Sequence, residues 1–306
     1  MTELSCMTNG ACIERAARAE IGGYPLRLAV STGQLRERFP GVLVRGARAA
    51  DPLTVASAAI LWCGPGSVLC RASAAWLHGC SSARVQQVHV LRPYGRNRSA
   101  PSGIRIHHGD PARYAPDTVC GLPTVGLDHA LAELLCAPER DFGFAVAEEA
   151  LALQPVAWRR SFRAGIRARI AERRDPRYRE RGDRLSCLVS GKTRGTAAGA
   201  ALLAIADHGL PVPRLWFPVR DAARRELYRL EFAWPADRLA LEMTRAPDPL
   251  RDADLRERGW SLIRAGPGTG WLAELGTGLS VALGDSGRES GHGPMPRQGR
   301  VRNEDT

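Results

Sequence analysis

The stretch Tyr228-Arg-Leu-Glu-Phe-Ala-Trp-Pro-Ala-Asp-Arg-Leu-Ala-Leu-Glu-Met243 reads as two strands joined by a tight turn at residues 234–237. Its apolar residues alternate with period two. One face collects Leu230, Phe232, Leu239, Leu241 and Met243, and the other carries Glu231, Ala233, Ala240 and Glu242. If Ala233 pairs with Arg238, Glu231 sits opposite Ala240 and diagonal to Glu242. Diagonal neighbours lie roughly 7–8 Å apart at Cα. Two carboxylates at that spacing could share one divalent cation and activate water. The same pattern describes the solvated face of an ordinary hairpin, and spacing alone leaves both readings open.

Working outward, Gly209-Leu-Pro211 precedes the hairpin and Gly259-Trp-Ser-Leu-Ile-Arg264 follows it. Together these segments resemble the very-short-patch-repair (Vsr)-like endonuclease domain, which has the restriction-endonuclease-like fold. That domain is common at the C-terminus of actinobacterial proteins that begin with an AbiEi-type antitoxin winged helix. The resemblance implies a metal centre built from a helical Glu, a strand Asp, a strand Glu and an Asp-Gly followed by His. Here Glu231 stands where the strand Asp is expected, and Glu242 matches the strand Glu. Thr244 and Arg245 replace the Asp-Gly, and the helical Glu falls near Ala198 or Gly199, where there is no acid. No His occurs between His208 and His292. The expectation is a degenerate centre, with Glu231 and Glu242 as vestigial catalytic or metal-holding residues. No cofactor is expected, and Mg²⁺ or Mn²⁺ would serve only if cleavage survives.

Composition bounds the alternatives. The 306 residues suffice for two or three domains, and 44% hydrophobic residues can build real cores. The net charge is +11, which favours a polyanionic partner, most simply nucleic acid, over a merely solvated basic surface. Lys192 is the one lysine, so the basic residues are otherwise all Arg. The eight Cys form no C-x-x-C pair and lie beside no His at zinc-finger spacing. That usage fits a reducing cytoplasm rather than a disulfide framework. There is no evident signal peptide. The longest apolar run, residues 55–63, is far short of the ~20 residues that a membrane helix needs.

Residues 1–10 are expected to be disordered. Residues 11–50 are expected to form a small truncated winged helix. Residues 12–21 have helical spacing and end at Gly22-Gly23, residues 24–32 can form a second helix, and residues 34–44 turn at Pro40-Gly41 as a β-wing would. The module resembles the antitoxin-type winged helix. That resemblance places Arg27 on the recognition helix and Arg36 and Arg38 in the wing, against phosphate or groove edge.

A mixed α/β region follows over residues 52–154, with strands near residues 85–91 and 104–108. Its segments at residues 71–78 and 121–125 resemble the same antitoxin-plus-nuclease proteins. His107 and His108 are adjacent, so on a strand they face opposite sides and cannot both bind one metal by simple projection. No phosphate-binding glycine loop and no Gly-x-Ser-x-Gly occurs.

Residues 155–194 form an Arg-rich helix and linker. Between 156 and 184, eleven Arg face Glu172, Asp175, Glu180 and Asp183. Trp158, Phe162, Ile166 and Ile170 recur every fourth residue as one apolar stripe. Arg159, Arg163 and Arg167 run beside that stripe. They are expected either to aim at phosphates or to be a solvated helix face. Residues 195–284 would be the endonuclease-like domain and 285–306 a disordered tail.

The expected fold class is mixed α/β and multidomain. The expected function is binding of double-stranded DNA by a nuclease-derived protein whose centre is inactive. One alternative is an active metal-dependent endonuclease. Another is an antitoxin-type regulator with a protein toxin as a second partner. Neither oligomeric state nor a membrane role is indicated.

Overall fold

An Asn9-Gly10 turn starts the fold, both residues having positive φ (51° and 80°). Across it Thr8 and Ala11 exchange two backbone hydrogen bonds of 2.9 and 3.0 Å, as Asn-Gly favours. The computed structural model describes residues 4–84, 86–95, 99–193, 195–243, 248–266 and 268–286, with side chains to residue 279. The tail from residue 287 and Thr244 and Arg245 of the expected metal motif lie outside the described residues. The chain divides into two compact units, Met1–Gly199 and Ala200–Thr306. It is a mixed α/β multidomain protein.

The first unit opens with β1 (Ala11–Ile13), α1 (Glu14–Ile21), α2 (Gly23–Ser31), β2 (Leu35–Phe39), β3 (Val42–Arg45) and α3 (Pro52–Cys63). The strands pair antiparallel in the order β1-β3-β2. A register shift between Glu37 and Phe39 turns Leu35 and Phe39 to opposite faces. Cys12, Leu35 and Leu43 pack with Ala17 and Leu26 of the helical hairpin. Ala11, Phe39, Val42 and Val44 pack with Ala56, Ala59 and Trp62 of α3.

Two expectations are corrected here. The first helix starts at Glu14 rather than residue 12, because residues 11–13 are spent pairing with β3. Residues 4–10 belong to the fold rather than to a disordered leader. Leu4 is buried, and Glu20 accepts the Ser5 and Cys6 amides at 2.7 and 3.1 Å.

The unit continues through β4 (Val68–Leu69), α4 (Arg71–Leu77), β5 (Val88–Arg92), β6 (Ile104–His108), β7 (Asp117–Val119) and β8 (Leu122–Thr124). It ends in α5 (Leu127–Leu135), α6 (Arg140–Leu153), α7 (Arg159–Glu172) and α8 (Arg179–Leu188). The sheet order is β6-β5-β4-β8-β7. The expected boundary near residue 51 separates no cores, since Phe39, Val42 and Val44 share one cluster with Leu69, Val90, Ile104 and Leu122. Asp51 caps α3 by accepting the Leu53 amide, with Pro52 in the first turn.

Glu148, only 4% exposed, fixes the chain where it leaves α8. Its two oxygens accept the amides of Ser190, Lys192 and Thr193 and the hydroxyls of Ser190 and Thr193. A carboxylate out of water is tolerable when its lone pairs are filled in this way.

His89 and His107 meet across β5 and β6, with Nδ1 and Nε2 3.1 Å apart and the rings stacked at 5.2 Å. Burial, then the Arg71 guanidinium, pushes His89 down to about 4 and His107 to about 3. Both imidazoles are therefore neutral in the fold. Below pH ~6.5 the unfolded chain binds protons that the fold refuses. Stability should be fully present above that pH and should fall on acidification toward pH 4, by roughly 1.4 kcal/mol per pH unit per imidazole. Urea midpoints measured from pH 7.5 to 4.5 should show this slope, and His89→Phe should flatten it. An identical slope in that variant would remove the pair as its cause.

The second unit takes the end of α9 (Gly195–Asp207), then β9 (Arg214–Arg220), β10 (Glu226–Trp234), β11 (Leu239–Met243), α10 (Pro249–Glu257), β12 (Ser261–Ala265) and α11 (Gly270–Ser286). The sheet order is β12-β11-β10-β9. β11 and β12 are parallel, with α10 as the crossover. Asp248 caps α10 by accepting the Arg251 amide at 3.1 Å. Among the described residues, no helix is long and apolar enough to cross a membrane.

Candidate functional site

Within the N-terminal module, α2 buries Leu26 and exposes Tyr24, Arg27 and Leu28. The sharp bend between α1 and α2 comes at Gly22 (φ 82°), a backbone state costly for any other residue. Arg27 and Arg36 are exposed and have no ion-pair partner among the described residues. Arg38 differs. It is half-buried and its guanidinium lies 4.9 Å from the Phe39 ring centroid. Of the three N-terminal arginines, two therefore present free guanidinium groups and one folds back on its own strand.

The Arg row of α7 is corrected. Arg159, Arg163 and Arg167 have protein partners rather than an outward, unengaged face. Arg159 donates to the carbonyls of Ala152 (2.8 Å) and Gln154 (3.2 Å). Arg163 donates to Val189 (3.1 Å). Arg167 forms a fork on Asp183 at 2.8 and 3.0 Å. Arg159 closes onto the end of α6, whereas Arg163 and Arg167 meet α8, which occupies sequence expected to be linker and packs against α7. Trp158, placed on the apolar stripe, is 66% exposed, while Ile166 and Ile170 are buried as expected. Much of this segment's positive charge serves as internal cement. Arg173, for example, is clamped on Glu133 at 2.9 Å.

The hairpin changes register, and Leu230 changes face: it packs with Ala233, Ala240 and Leu255, on the side expected to carry the acids. The pairs are Phe232↔Leu241, Ala233↔Ala240 and Trp234↔Leu239. Continued by one step, they put Glu231 opposite Glu242 rather than Ala240. Neither face is solvated along its length, since Ala233, Ala240 and Glu242 are buried together with Leu230, Phe232 and Leu241. Glu231 accepts the Met243 amide at 3.2 Å. Both oxygens of Glu242 are held by Arg251, with Nη2 to Oε1 at 2.5 Å and Nη1 to Oε2 at 2.9 Å. Arg264, the neighbour of Glu242 in the parallel register, pairs with Asp252. Asp252 in turn lies 3.7 Å from Arg251. The result is an alternating chain of charges, Glu242–Arg251–Asp252–Arg264.

This set does not fit a divalent cation. A hard cation needs several free oxygen ligands, and Glu242 has both of its oxygens committed to a guanidinium. Among the described residues, no group of three or more His, Cys, Asp or Glu gathers in a way that could hold a metal ion. Sequence reasoning missed Arg251 and Asp252 as members of this centre. The available signal was the parallel crossover, which brings α10 over the carboxylate face and so calls for a cation on its inner side.

No family model matches the chain. It is 28% identical over 248 residues to two proteins of Mycobacterium tuberculosis, the uncharacterized protein MT2308 of strain CDC 1551 / Oshkosh and the uncharacterized protein Rv2248 of strain ATCC 25618 / H37Rv, covering 78% of this chain and 88% of each relative. Among solved structures it is similar to the RV2827C protein of M. tuberculosis, at 16% identity and a TM-score of 0.35, covering 69% of this chain and 83% of that one.

Proposed function

We propose that this protein binds double-stranded DNA through its N-terminal helical hairpin and wing, and that its second unit is an endonuclease-like domain whose centre no longer cuts. The observation that carries the first half is the exposed set Tyr24, Arg27 and Leu28 on α2, with Arg36 on the adjoining strand. A short helix presenting an arginine and an aromatic beside a basic wing has the makings of a groove reader with phosphate contacts. The second half is supported by the Arg251 fork on Glu242.

Binding to a blunt duplex should weaken with salt, the log–log slope being about −0.9 per phosphate neutralised. Arg27→Gln and Arg36→Gln should each reduce the slope by about that amount. Anisotropy titrations at several salt concentrations measure this directly. Salt-independent binding, or unchanged slopes in both variants, would sink the reading. Plasmid incubated with the protein and Mg²⁺ or Mn²⁺ should stay supercoiled.

A further inference from the structure

A polar cleft lies wholly within the first unit, at the ends of β5 and β6 against α5 and α7. It encloses about 360 Å³, within the range of about 300–1,000 Å³ that small-molecule sites occupy. Three of its four acidic members are held in ion pairs. Glu133 is clamped by Arg71 (3.1 Å) and Arg173 (2.9 Å). Glu172 takes Arg169 at 2.9 Å and Asp175 takes Arg177 at 2.8 Å. Asp110 accepts the Ala112 amide at 3.2 Å. The guanidinium groups of Arg113 and Arg174, which also line the cleft, have no hydrogen-bond or ion-pair partner among the described residues. Asp110 keeps its charge, so the two free guanidinium groups leave the unpaired charge of the cleft net positive by one.

Aromatic surface stands beside it. Tyr94 is 74% exposed and lies in the lining, stacked on His108 with centroids 6.3 Å apart. An exposed aromatic ring held by a neighbouring ring, in a cleft that also carries two free guanidinium groups, has the chemistry of a nucleotide subsite. A base stacks on the ring and a phosphate takes the arginines.

We propose that this cleft takes one nucleotide, with its base on Tyr94 and its phosphate on Arg113 and Arg174. The nucleotide comes either from an unpaired end of a nucleic acid or from solution. The site is separate from the N-terminal hairpin and wing, so it stands or falls independently of duplex binding there.

The test compares labelled blunt duplex, the same duplex with an oligo(dT) overhang, and free dTMP. If the source is an unpaired end, the overhang should tighten binding roughly tenfold, as one stacked base can, and dTMP should not compete. If the source is free nucleotide, dTMP should bind by calorimetry and the overhang should add nothing. In either case Tyr94→Ala, and separately Arg113→Gln with Arg174→Gln, should abolish the effect, while Arg27→Gln with Arg36→Gln should spare it. Tyr94 is too exposed for its loss to endanger the fold. The proposal is overturned if neither the overhang nor dTMP is bound, or if the effect survives Tyr94→Ala.

Discussion

Arg251→Met is expected to destabilise the second unit by about 3–5 kcal/mol, because removing one partner of a buried ion pair strands the other. The side chains of Arg251 and Glu242 are 15% and 4% exposed. Stripping the guanidinium leaves a carboxylate without a cation beneath α10. The double change Glu242→Leu with Arg251→Met should recover most of that loss, since apolar replacements of buried pairs are often neutral or better. Urea unfolding followed by tryptophan fluorescence reads both numbers, and the cycle gives the coupling energy. A cost under about 1 kcal/mol for the single variant would mean a solvent-screened pair, and the closed centre would lose its argument.

Phe232→Ala should be comparably severe, at roughly 3–5 kcal/mol for a fully buried aromatic. Phe232 has no exposed surface. It pairs with Leu241 on one side and Leu215 on the other, at the centre of the sheet. Phe232→Leu should cost less, because it surrenders volume without opening so large a cavity. Equal midpoints for the two variants would show that shape at this position does not limit stability.

Much of the hairpin was legible because period-two alternation sorts residues onto two faces, although Leu230 packs with Ala233 and Ala240 against that alternation. Alternation does not fix register. A slip of two leaves every side chain on its own side, so the sequence could place Glu231 and Glu242 together and still misjudge what lay opposite. The loop is residues 235–238, with Arg238 in a left-handed conformation (φ 50°), and no pattern in the flanking strands announces that. The Arg row failed for a related reason. Spacing of four shows that Arg159, Arg163 and Arg167 are neighbours on a helix, but it cannot say whether water or α8 lies beyond them. Helix α8 itself was hidden because five of residues 179–188 are charged, so that they read as linker. Their apolar contribution is a few residues such as Leu185. In the N-terminal module the two helices and the β2–β3 turn were legible from Gly22-Gly23 and Pro40-Gly41. The preceding residues 4–10 were not, because their one buried apolar anchor, Leu4, gives no periodic signal.

The guanidinium on Glu242 also constrains how this centre can change over generations. Neither member can be exchanged alone without exposing the other to an uncompensated charge in a low-dielectric site. Loss of Arg251 alone, which would leave an unengaged carboxylate able to meet a cation, passes through a chain several kcal/mol less stable. For a fold whose total stability is about 5–15 kcal/mol, that intermediate gives up a large share of its margin. The pair thus works as a ratchet: easy to keep, passable only in a coordinated step, and closed to single substitutions in the direction of metal binding.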